Sequence, residues 1–251
     1  TLSEDGISFS DIHKNPVEKE LLIADWDINA AEKGGYKHFM LKEIHEQPKA
    51  VSETLNRRLD DAGNIKLDGI SLTKEDLEDI SRIYIVACGT AYHAGLVGKY
   101  IIEKMAKIPV EIDVASEFRY RDPLVDDRTL FIAISQSGET LDTLAALRAA
   151  KAKGARVLSV VNVVGSSVAR ESDDVFYTWA GPEIAVASTK AYTTQLTCMY
   201  LLGLYMGRTL GRIGDADYHQ FVEDLRDIPG KLAEYLQDVR NVEALAKILY
   251  N

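Results

Sequence analysis

Three side-chain hydroxyls lie close together near the middle of the chain, at Ser135, Ser137 and Thr140, with Gln136 and Gly138 between them. Hydroxyl and amide groups donate hydrogen bonds to oxyanions, and a glycine lets the backbone come close to a ligand. The turn contains no lysine or arginine, whereas loops that bind nucleoside triphosphates carry the pattern G-x-x-x-x-G-K-[ST]. These residue types therefore favour an uncharged cradle for the phosphate of a small phosphomonoester.

The segments on either side predict how this turn is held. The apolar residues 130–134 predict a buried strand, and from Leu141 onward the apolar residues recur with the period of a helix. The turn would then lie at the carboxyl end of a strand and at the amino end of a helix. Open α/β sheets bind ligands at that edge, and the free N–H groups at a helix start attract anions.

A simpler role for the same hydroxyls is to cap the helix. Serine and threonine are preferred at helix N-caps, and Ser-Gly is common in turns. Either Ser137 or Thr140 could act in this way, but three hydroxyls, a glycine and a glutamine at one junction exceed what capping needs. Glu139, at the helix start, is expected to interact favourably with the helix dipole.

Two further turns with small or hydroxylated residues are predicted at the same edge. Cys88-Gly89-Thr90 follows the apolar strand 83–87, and the segment 186–190 precedes a long apolar helix over 191–208. We interpret both as strand-to-helix junctions. Because the carboxyl ends of parallel strands share one edge of a sheet, the three turns can surround one ligand.

Nucleophilic and metal chemistry are disfavoured. Ser137 does not stand in the pattern G-x-S-x-G, and a nucleophilic role for Cys88 is disfavoured because buried cysteines are usually inert. Cys88 and Cys198 have no metal-ligand or disulfide spacing, and the histidines form no ligand pair. We therefore predict no metal and no cofactor. Lys190 has two interpretations, a contact with a ligand anion and an ion pair with Glu183.

The composition is that of an ordinary globular protein, with 46% hydrophobic and 27% charged residues in 251. The formal net charge of −10 disfavours nucleic acid as a partner. No apolar stretch reaches the length of a membrane span, and the amino terminus does not resemble a signal peptide. We therefore predict no membrane association and a cytoplasmic location.

Strands and helices alternate over residues 82–208, which predicts a three-layer α/β domain with a parallel sheet and right-handed crossovers. Residues 36–59 predict a surface helix that Pro48 divides, and 215–251 predict two helices separated near Pro229. Residues 21–26 are a further candidate strand. Thr73 and Asp76 have the spacing of a capping box at the start of a short helix.

The hydroxyl-rich turn resembles the signature turn of the sugar isomerase (SIS) domain. The stretches HFMLKEIHEQP (38–48), VASTKAYTTQ (186–195) and CGT (88–90) are similar to the family of glutamine–fructose-6-phosphate amidotransferases, or glucosamine-6-phosphate synthases. The turn alone identifies only a superfamily, whereas the longer stretches are specific. The resemblance runs over residues 35–207 and implies a flavodoxin-like SIS domain with helical N- and C-terminal extensions.

The resemblance also implies which residues would bind the phosphate and which would contact the sugar. Ser135, Ser137 and Thr140 would bind the phosphate of fructose 6-phosphate or glucosamine 6-phosphate. The sugar would be contacted by Cys88, Gly89, Thr90, Gln136, Val186, Ala187, Ser188 and Lys190. Ala91 stands where the family often has serine, so one sugar hydrogen bond of the family would be missing or replaced.

Members of this family join a glutaminase domain, two SIS domains and a short tail, and they transfer glutamine nitrogen to fructose 6-phosphate. On that pattern, residues 1–35 would be the end of the glutaminase domain and a linker, 36–80 a helical extension, 81–210 the first SIS domain, and 211–251 helices leading toward a second SIS domain. The family's isomerising glutamate, ring-opening histidine and Schiff-base lysine match no residue of this chain. We therefore expect a fragment with no catalytic residue, inactive alone, that forms a homodimer and depends on a missing domain for glutamine.

Three other functions are weighed against this one. A stand-alone SIS module that senses a phosphosugar often carries a DNA-binding helix, for which this acidic chain offers no basic candidate. A different SIS enzyme, such as an aldose–ketose isomerase, would need its own acid–base residues, and Glu183 and His93 are the candidates near the predicted site. A nucleotide-binding doubly wound domain would need G-x-G-x-x-G, which is missing.

Overall fold

A computed structural model describes residues 2–3, 6–18 and 32–250 of the chain. The candidate strand at 21–26 lies outside these residues, and so does part of the predicted linker 1–35. At the amino terminus, β1 (Leu2–Ser3) pairs with β2 (Gly6–Ile7) in a short antiparallel ladder. A larger sheet lies further along the chain.

Five parallel strands form that sheet in the spatial order β4-β3-β5-β6-β7. They are β3 (Arg82–Ala87), β4 (Val110–Val114), β5 (Thr129–Ser135), β6 (Arg156–Val161) and β7 (Asp174–Tyr177). The chain adds β4 on one side of β3 and then returns to place β5 on the other side. The order therefore reverses between β3 and β5, as in flavodoxin-like sheets, and such a switch point is where doubly wound sheets bind ligands. The predicted parallel α/β fold is confirmed.

Helices cover both faces of the sheet, which explains why its central strands are continuous apolar runs. On one face, Ile132 and Ile134 of β5 belong to a core cluster with Met199 of the long helix α7. On the other face, Phe131 packs in a cluster with Leu147 of α5. The helices are α1 (Phe39–Asn56), α2 (Lys74–Asp79), α3 (Gly89–Ala106), α4 (Ala115–Phe118), α5 (Leu141–Ala152), α6 (Ser167–Glu171), α7 (Lys190–Thr209), α8 (Asp215–Gln237) and α9 (Arg240–Leu249).

The helical extensions confirm one local prediction and correct two. The capping box forms at α2, where Thr73 Oγ1 accepts a hydrogen bond from Asp76 N (3.1 Å) and Asp76 Oδ2 accepts one from Thr73 N (2.8 Å). Pro48 and Pro229, however, lie inside continuous helices. The break between α8 and α9 comes at residues 238–239 instead. The predicted divisions were therefore wrong.

Packing explains why proline does not divide α1. After Pro48 the helix buries Val51 and Leu55 in the main core, and before it Glu43 is bonded to the backbone of residues 184 and 185, so both halves are held in place. Proline removes one helical hydrogen bond, a cost of about 3 kcal/mol. Burial of two aliphatic side chains recovers about that much, at 1.5–3 kcal/mol for each, approximately.

Candidate functional site

The hydroxyl-rich turn lies at the carboxyl end of β5, beside the turn that follows β3. Ala87 of β3 pairs with Ile134 of β5, so Cys88 and Ser135 reach the sheet edge at the same level. The two predicted turns are thus neighbours at the switch point of the sheet. Each also leads directly into a helix, α3 from Gly89 and α5 from Leu141.

The hydroxyls of this turn bond within the turn instead of capping α5. Ser135 Oγ lies 3.2 Å from Thr140 Oγ1 and accepts a hydrogen bond from Gly138 N (3.0 Å). Ser137 Oγ accepts one from Glu139 N (3.2 Å). Thr140 is the N-cap residue of α5, but its side chain makes no capping hydrogen bond. The structure therefore does not support the capping role considered for Thr140.

Gly138 allows the turn to press against the next loop. Its φ of +65° is in the left-handed region, and a Cβ atom at this position would lie 2.0 Å from Ser166 Oγ. Its carbonyl oxygen accepts a hydrogen bond from Val168 N (2.9 Å). A side chain at position 138 is thus excluded both by the backbone conformation and by the neighbouring serine.

Glu139 bonds to the amino end of the short helix α6. Its Oε1 atom accepts a hydrogen bond from Ser167 N (2.8 Å), at the first residue of α6. Hydrogen bonds from the side chain and the backbone of Ser167 hold the pKa of the Glu139 carboxyl below its usual value. The carboxylate therefore links the turn to the amino end of α6.

Asn162, which the sequence analysis missed, connects this turn to the segment after β7. Its N–H donates to the carbonyl of Gln136 (3.1 Å), and its Nδ2 donates to the carbonyl of Gly181 (2.7 Å). Its Oδ1 accepts from Thr178 Oγ1 (3.0 Å) and Ala180 N (2.8 Å). A signal was present, because Asn162 directly follows an apolar strand, in the same relative position as Cys88 after β3.

The third predicted turn, at residues 186–190, lies several residues beyond the end of its strand. Strand β7 ends at Tyr177, and residues 178–189 separate it from α7. Residues 186–190 thus end a connection between β7 and α7 that is longer than the turns after β3 and β5. The chain needs this longer segment because it leaves an edge strand and must cross to α1, against which α7 packs. Val186 and Ala187 are exposed, and Ser188 is half-buried.

Two carboxylates hold this segment, and the one on α1 was not recognised in the sequence. Glu183 accepts hydrogen bonds from Thr189 N (2.9 Å) and Ala191 N (3.0 Å) at the start of α7. Glu43 of α1 is only 2% exposed and accepts hydrogen bonds from the N–H groups of Ile184 (2.6 Å) and Ala185 (3.1 Å). The pattern of α1 predicted only a surface helix, so its part in this segment was missed.

Lys190 is buried and forms an ion pair with α1. Its Nζ atom lies 2.7 Å from Glu46 Oε2, and the residue is 3% exposed. The ion-pair alternative from the sequence named Glu183 as the partner, which was wrong. Glu183 is occupied by backbone N–H groups, and α1 brings Glu46 to Lys190 across 144 positions of sequence.

Within the described part of the chain, neither a metal site nor a reactive cysteine is evident. No group of three or more histidine, cysteine, aspartate or glutamate residues could hold a metal ion among those described. Cys198 is buried, which raises the pKa of its thiol to about 12, and Cys88 is a half-buried free cysteine. Two clefts of about 370 and 510 Å³ lie elsewhere, one between α1 and α8 and one beside β7.

The comparisons with known proteins agree with this geometry. The family described as SIS domain matches residues 76–205, from α2 into α7. The chain belongs to the SIS domain family. That assignment confirms the family implied by the hydroxyl-rich turn.

Curated relatives extend the likeness beyond the SIS domain. The glutamine–fructose-6-phosphate aminotransferase (isomerizing) of Clostridium acetobutylicum is 58% identical over 249 residues, which are 99% of this chain and 41% of the relative. The protein of the same name from Streptomyces coelicolor is 49% identical and is covered to 40% of its length. The chain thus spans about two fifths of the length of these relatives.

A solved structure is also similar to the chain. The C-terminal domain of glucosamine-fructose-6-phosphate aminotransferase from Francisella tularensis superposes with a TM-score of 0.74 at 48% identity. The match covers 79% of this chain and 55% of that one.

Helix α1 lies outside the matched SIS domain, although its Glu43 and Glu46 bond to residues within it. Helices α8 and α9 also lie outside the match. Among the described residues, none of the helices combines the length and the apolar character that crossing a membrane requires.

Proposed function

We propose that this chain is the sugar-phosphate-binding part of a glutamine–fructose-6-phosphate aminotransferase, and that it binds fructose 6-phosphate and glucosamine 6-phosphate at the β3/β5 edge. The observation that carries the proposal is the pair of hydroxyls of Ser135 and Thr140, 3.2 Å apart at the switch point of the sheet. The names of relatives up to 58% identical to the chain support the choice of substrate.

The phosphate is proposed to bind to Ser135, Ser137 and Thr140. It would lie at the amino end of α5, where free N–H groups and the helix dipole favour an anion. A hydrogen bond to a charged group contributes about 1.5–3 kcal/mol. Three or four such bonds, less the cost of ordering the ligand, correspond to binding of roughly micromolar to millimolar strength.

The sugar is proposed to lie between the two remaining segments. Cys88, Gly89, Thr90 and Gln136 would approach it from the ends of β3 and β5. Val186, Ala187 and Ser188 would approach it from the segment before α7, together with the first residue of that helix, Lys190. Because Lys190 Nζ is paired with Glu46, Lys190 would contribute through its backbone.

In the whole protein, this part would hold the phosphosugar while glutamine nitrogen is delivered by another domain. We propose that residues 36–80 are an extension, 81–210 the SIS domain and 211–251 helices that lead toward a further domain. We also propose that the assembled protein is a cytoplasmic homodimer. The chain's own residues would bind and orient the phosphosugar, and the chemical steps would use residues from outside this chain.

Calorimetric titration tests the proposal. The chain is titrated with fructose 6-phosphate, glucosamine 6-phosphate and fructose, beside a Ser137→Ala, Thr140→Ala double variant and a Ser52→Ala control on α1. We expect both phosphosugars to bind the wild-type chain and the control, fructose not to bind, and the double variant to lose binding. Equal binding of fructose, or full binding by the double variant, would refute a phosphate site in this turn.

A further inference from the structure

Glu43 is a buried carboxylate whose bonds reach a distant, irregular part of the chain. Its Oε1 atom accepts hydrogen bonds from Ile184 N (2.6 Å) and Ala185 N (3.1 Å), and its Oε2 atom lies 3.3 Å from Ala185 N. The residues it joins are about 141 positions apart in sequence. Both oxygens of the carboxylate are thus directed at the backbone of one short segment.

The segment between residues 182 and 189 has no helix or strand that would fix its backbone. Glu43 holds its first part at Ile184 and Ala185, and Glu183 holds its end at Thr189. Val186, Ala187 and Ser188, the proposed sugar contacts, lie between these two anchors. The position of the three residues therefore depends on both carboxylates.

A carboxylate suits this task better than other side chains. It accepts several hydrogen bonds and donates none, and bonds from backbone N–H groups to an ionised acceptor are among the stronger ones in proteins. A glutamine would offer a single acceptor oxygen and turn an N–H₂ group toward a backbone N–H. An alanine would leave the N–H groups of Ile184 and Ala185 without their carboxylate acceptor.

The same helix provides a second contact with this region, one turn further on. Glu46 pairs with Lys190 at the first residue of α7 (2.7 Å) and lies 3.4 Å from Lys42. Helix α1 therefore anchors the segment near its beginning through Glu43. Through Glu46 it also anchors α7, the helix that follows the segment. Because α1 lies outside the residues matched by the SIS family, this anchoring is an addition to the SIS domain.

We infer that Glu43 is a positioning residue for the sugar side of the site: from α1 it holds Val186, Ala187 and Ser188 in the conformation that receives the sugar. The inference rests on the function proposed above. The inference predicts that binding of the sugar and binding of the phosphate depend on different residues. Removal of Glu43 should weaken binding of the sugar and leave the phosphate turn at Ser135–Thr140 intact, since no bond of Glu43 reaches that turn.

The test combines hydrogen exchange with calorimetry on the chain and three variants. Glu43→Gln and Glu43→Ala change the proposed anchor. Glu53→Gln is the matched control, since Glu53 lies on the same helix with a side chain that is 48% exposed and 4.0 Å from Arg57. Thermal unfolding confirms that each variant is folded, and Glu43→Gln carries the test if Glu43→Ala does not fold.

Hydrogen exchange measures the effect at the two anchored amides, those of Ile184 and Ala185. We expect the amides of Ile184 and Ala185 to exchange roughly tenfold faster or more in Glu43→Ala, and less so in Glu43→Gln, because each loses a bond to a charged acceptor. The amides of Gly138 and Glu139 should not change, and the control should match the wild type. Unchanged exchange at Ile184 and Ala185 would overturn the inference.

Calorimetry separates positioning from general stability by using fructose 6-phosphate and inorganic phosphate as the two probes. We expect Glu43→Ala to bind fructose 6-phosphate about tenfold more weakly and inorganic phosphate as the wild type does. Equal losses for both probes, or no loss for either, would overturn the inference. If the wild-type chain binds neither probe, the proposed function fails, and hydrogen exchange alone then decides whether Glu43 anchors the segment.

Discussion

The side-chain oxygens of Ser135 and Thr140 lie 3.2 Å apart, one at the end of a buried strand and the other at the start of a helix. Between them the chain makes a turn in which Ser135 also accepts the N–H of Gly138. The hydroxyl of Thr140 is therefore directed back to the sheet edge and away from its own helix. This arrangement makes Thr140 the most informative single position in the turn.

Replacing Thr140 by valine should weaken binding of fructose 6-phosphate by roughly tenfold or more, because it removes one hydrogen bond to a charged ligand. Thr140→Ser keeps the hydroxyl and should bind within a few-fold of the wild type. Calorimetric dissociation constants for the two variants check this. If the Thr140→Val and Thr140→Ser variants bound fructose 6-phosphate equally well, the Thr140 hydroxyl would not contact the phosphate.

Gly138→Ala should destabilise the chain by about 1–3 kcal/mol, since alanine is strained at positive φ. Its Cβ would also collide with Ser166 Oγ, at 2.0 Å. Urea unfolding measures the change, and the double variant Gly138→Ala, Ser166→Gly should recover the part that comes from the collision. A double-mutant cycle with no coupling between the two positions would contradict that contact.

The buried pair of Glu46 and Lys190 should respond unequally to loss of either partner. Glu46→Gln leaves the ammonium group of a 3% exposed lysine without its carboxylate and should cost about 3 kcal/mol. Lys190→Met removes the buried charge, and the side chain of Glu46, which is 28% exposed, can be hydrated. We expect the lysine variant to lose less free energy of unfolding in urea than the glutamate variant, and the reverse order would refute this account.

Asp174 should make the folded state sensitive to acid. Burial alone would raise the pKa of its carboxyl, but hydrogen bonds from Arg156 and Ser71 outweigh that effect and hold the pKa below the usual value. Arg156 Nε donates to it at 2.7 Å and Ser71 N at 2.6 Å. A lowered pKa in the folded state stabilises the protein above the unfolded pKa of about 3.9, and this contribution is lost as the pH falls through the folded value.

The variant Asp174→Asn tests that pH dependence. It should reduce the free energy of unfolding by about 1–3 kcal/mol at pH 7, because the bonds to an ionised acceptor are lost. The difference between variant and wild type should begin to shrink below about pH 4, where the carboxyl of the unfolded chain takes up a proton, and it should keep shrinking as the pH falls through the lower pKa of the folded state. Urea titrations at several pH values measure both, and a difference that does not change with pH would contradict the assignment.

The sequence alone determined the local features of this chain. The strands predicted at 83–87 and 130–134, the long helix α7 and the capping box at Thr73 follow from the period of apolar residues and from spacings of a few positions. The hydroxyl-rich turn was visible for the same reason, because its residues are consecutive. Such patterns are read within one element and need no knowledge of its neighbours.

Only the tertiary structure decided which distant groups meet. It set β3 beside β5, bonded Glu139 to the amino end of α6, and paired Lys190 with Glu46 in place of Glu183. It also gave a buried role to Glu43, on a helix whose pattern indicates a surface element. The physical reason is that the sequence around a carboxylate does not show which group it will bond to in the folded chain. That partner is fixed only when packing brings two elements together and burial requires each polar group to be bonded.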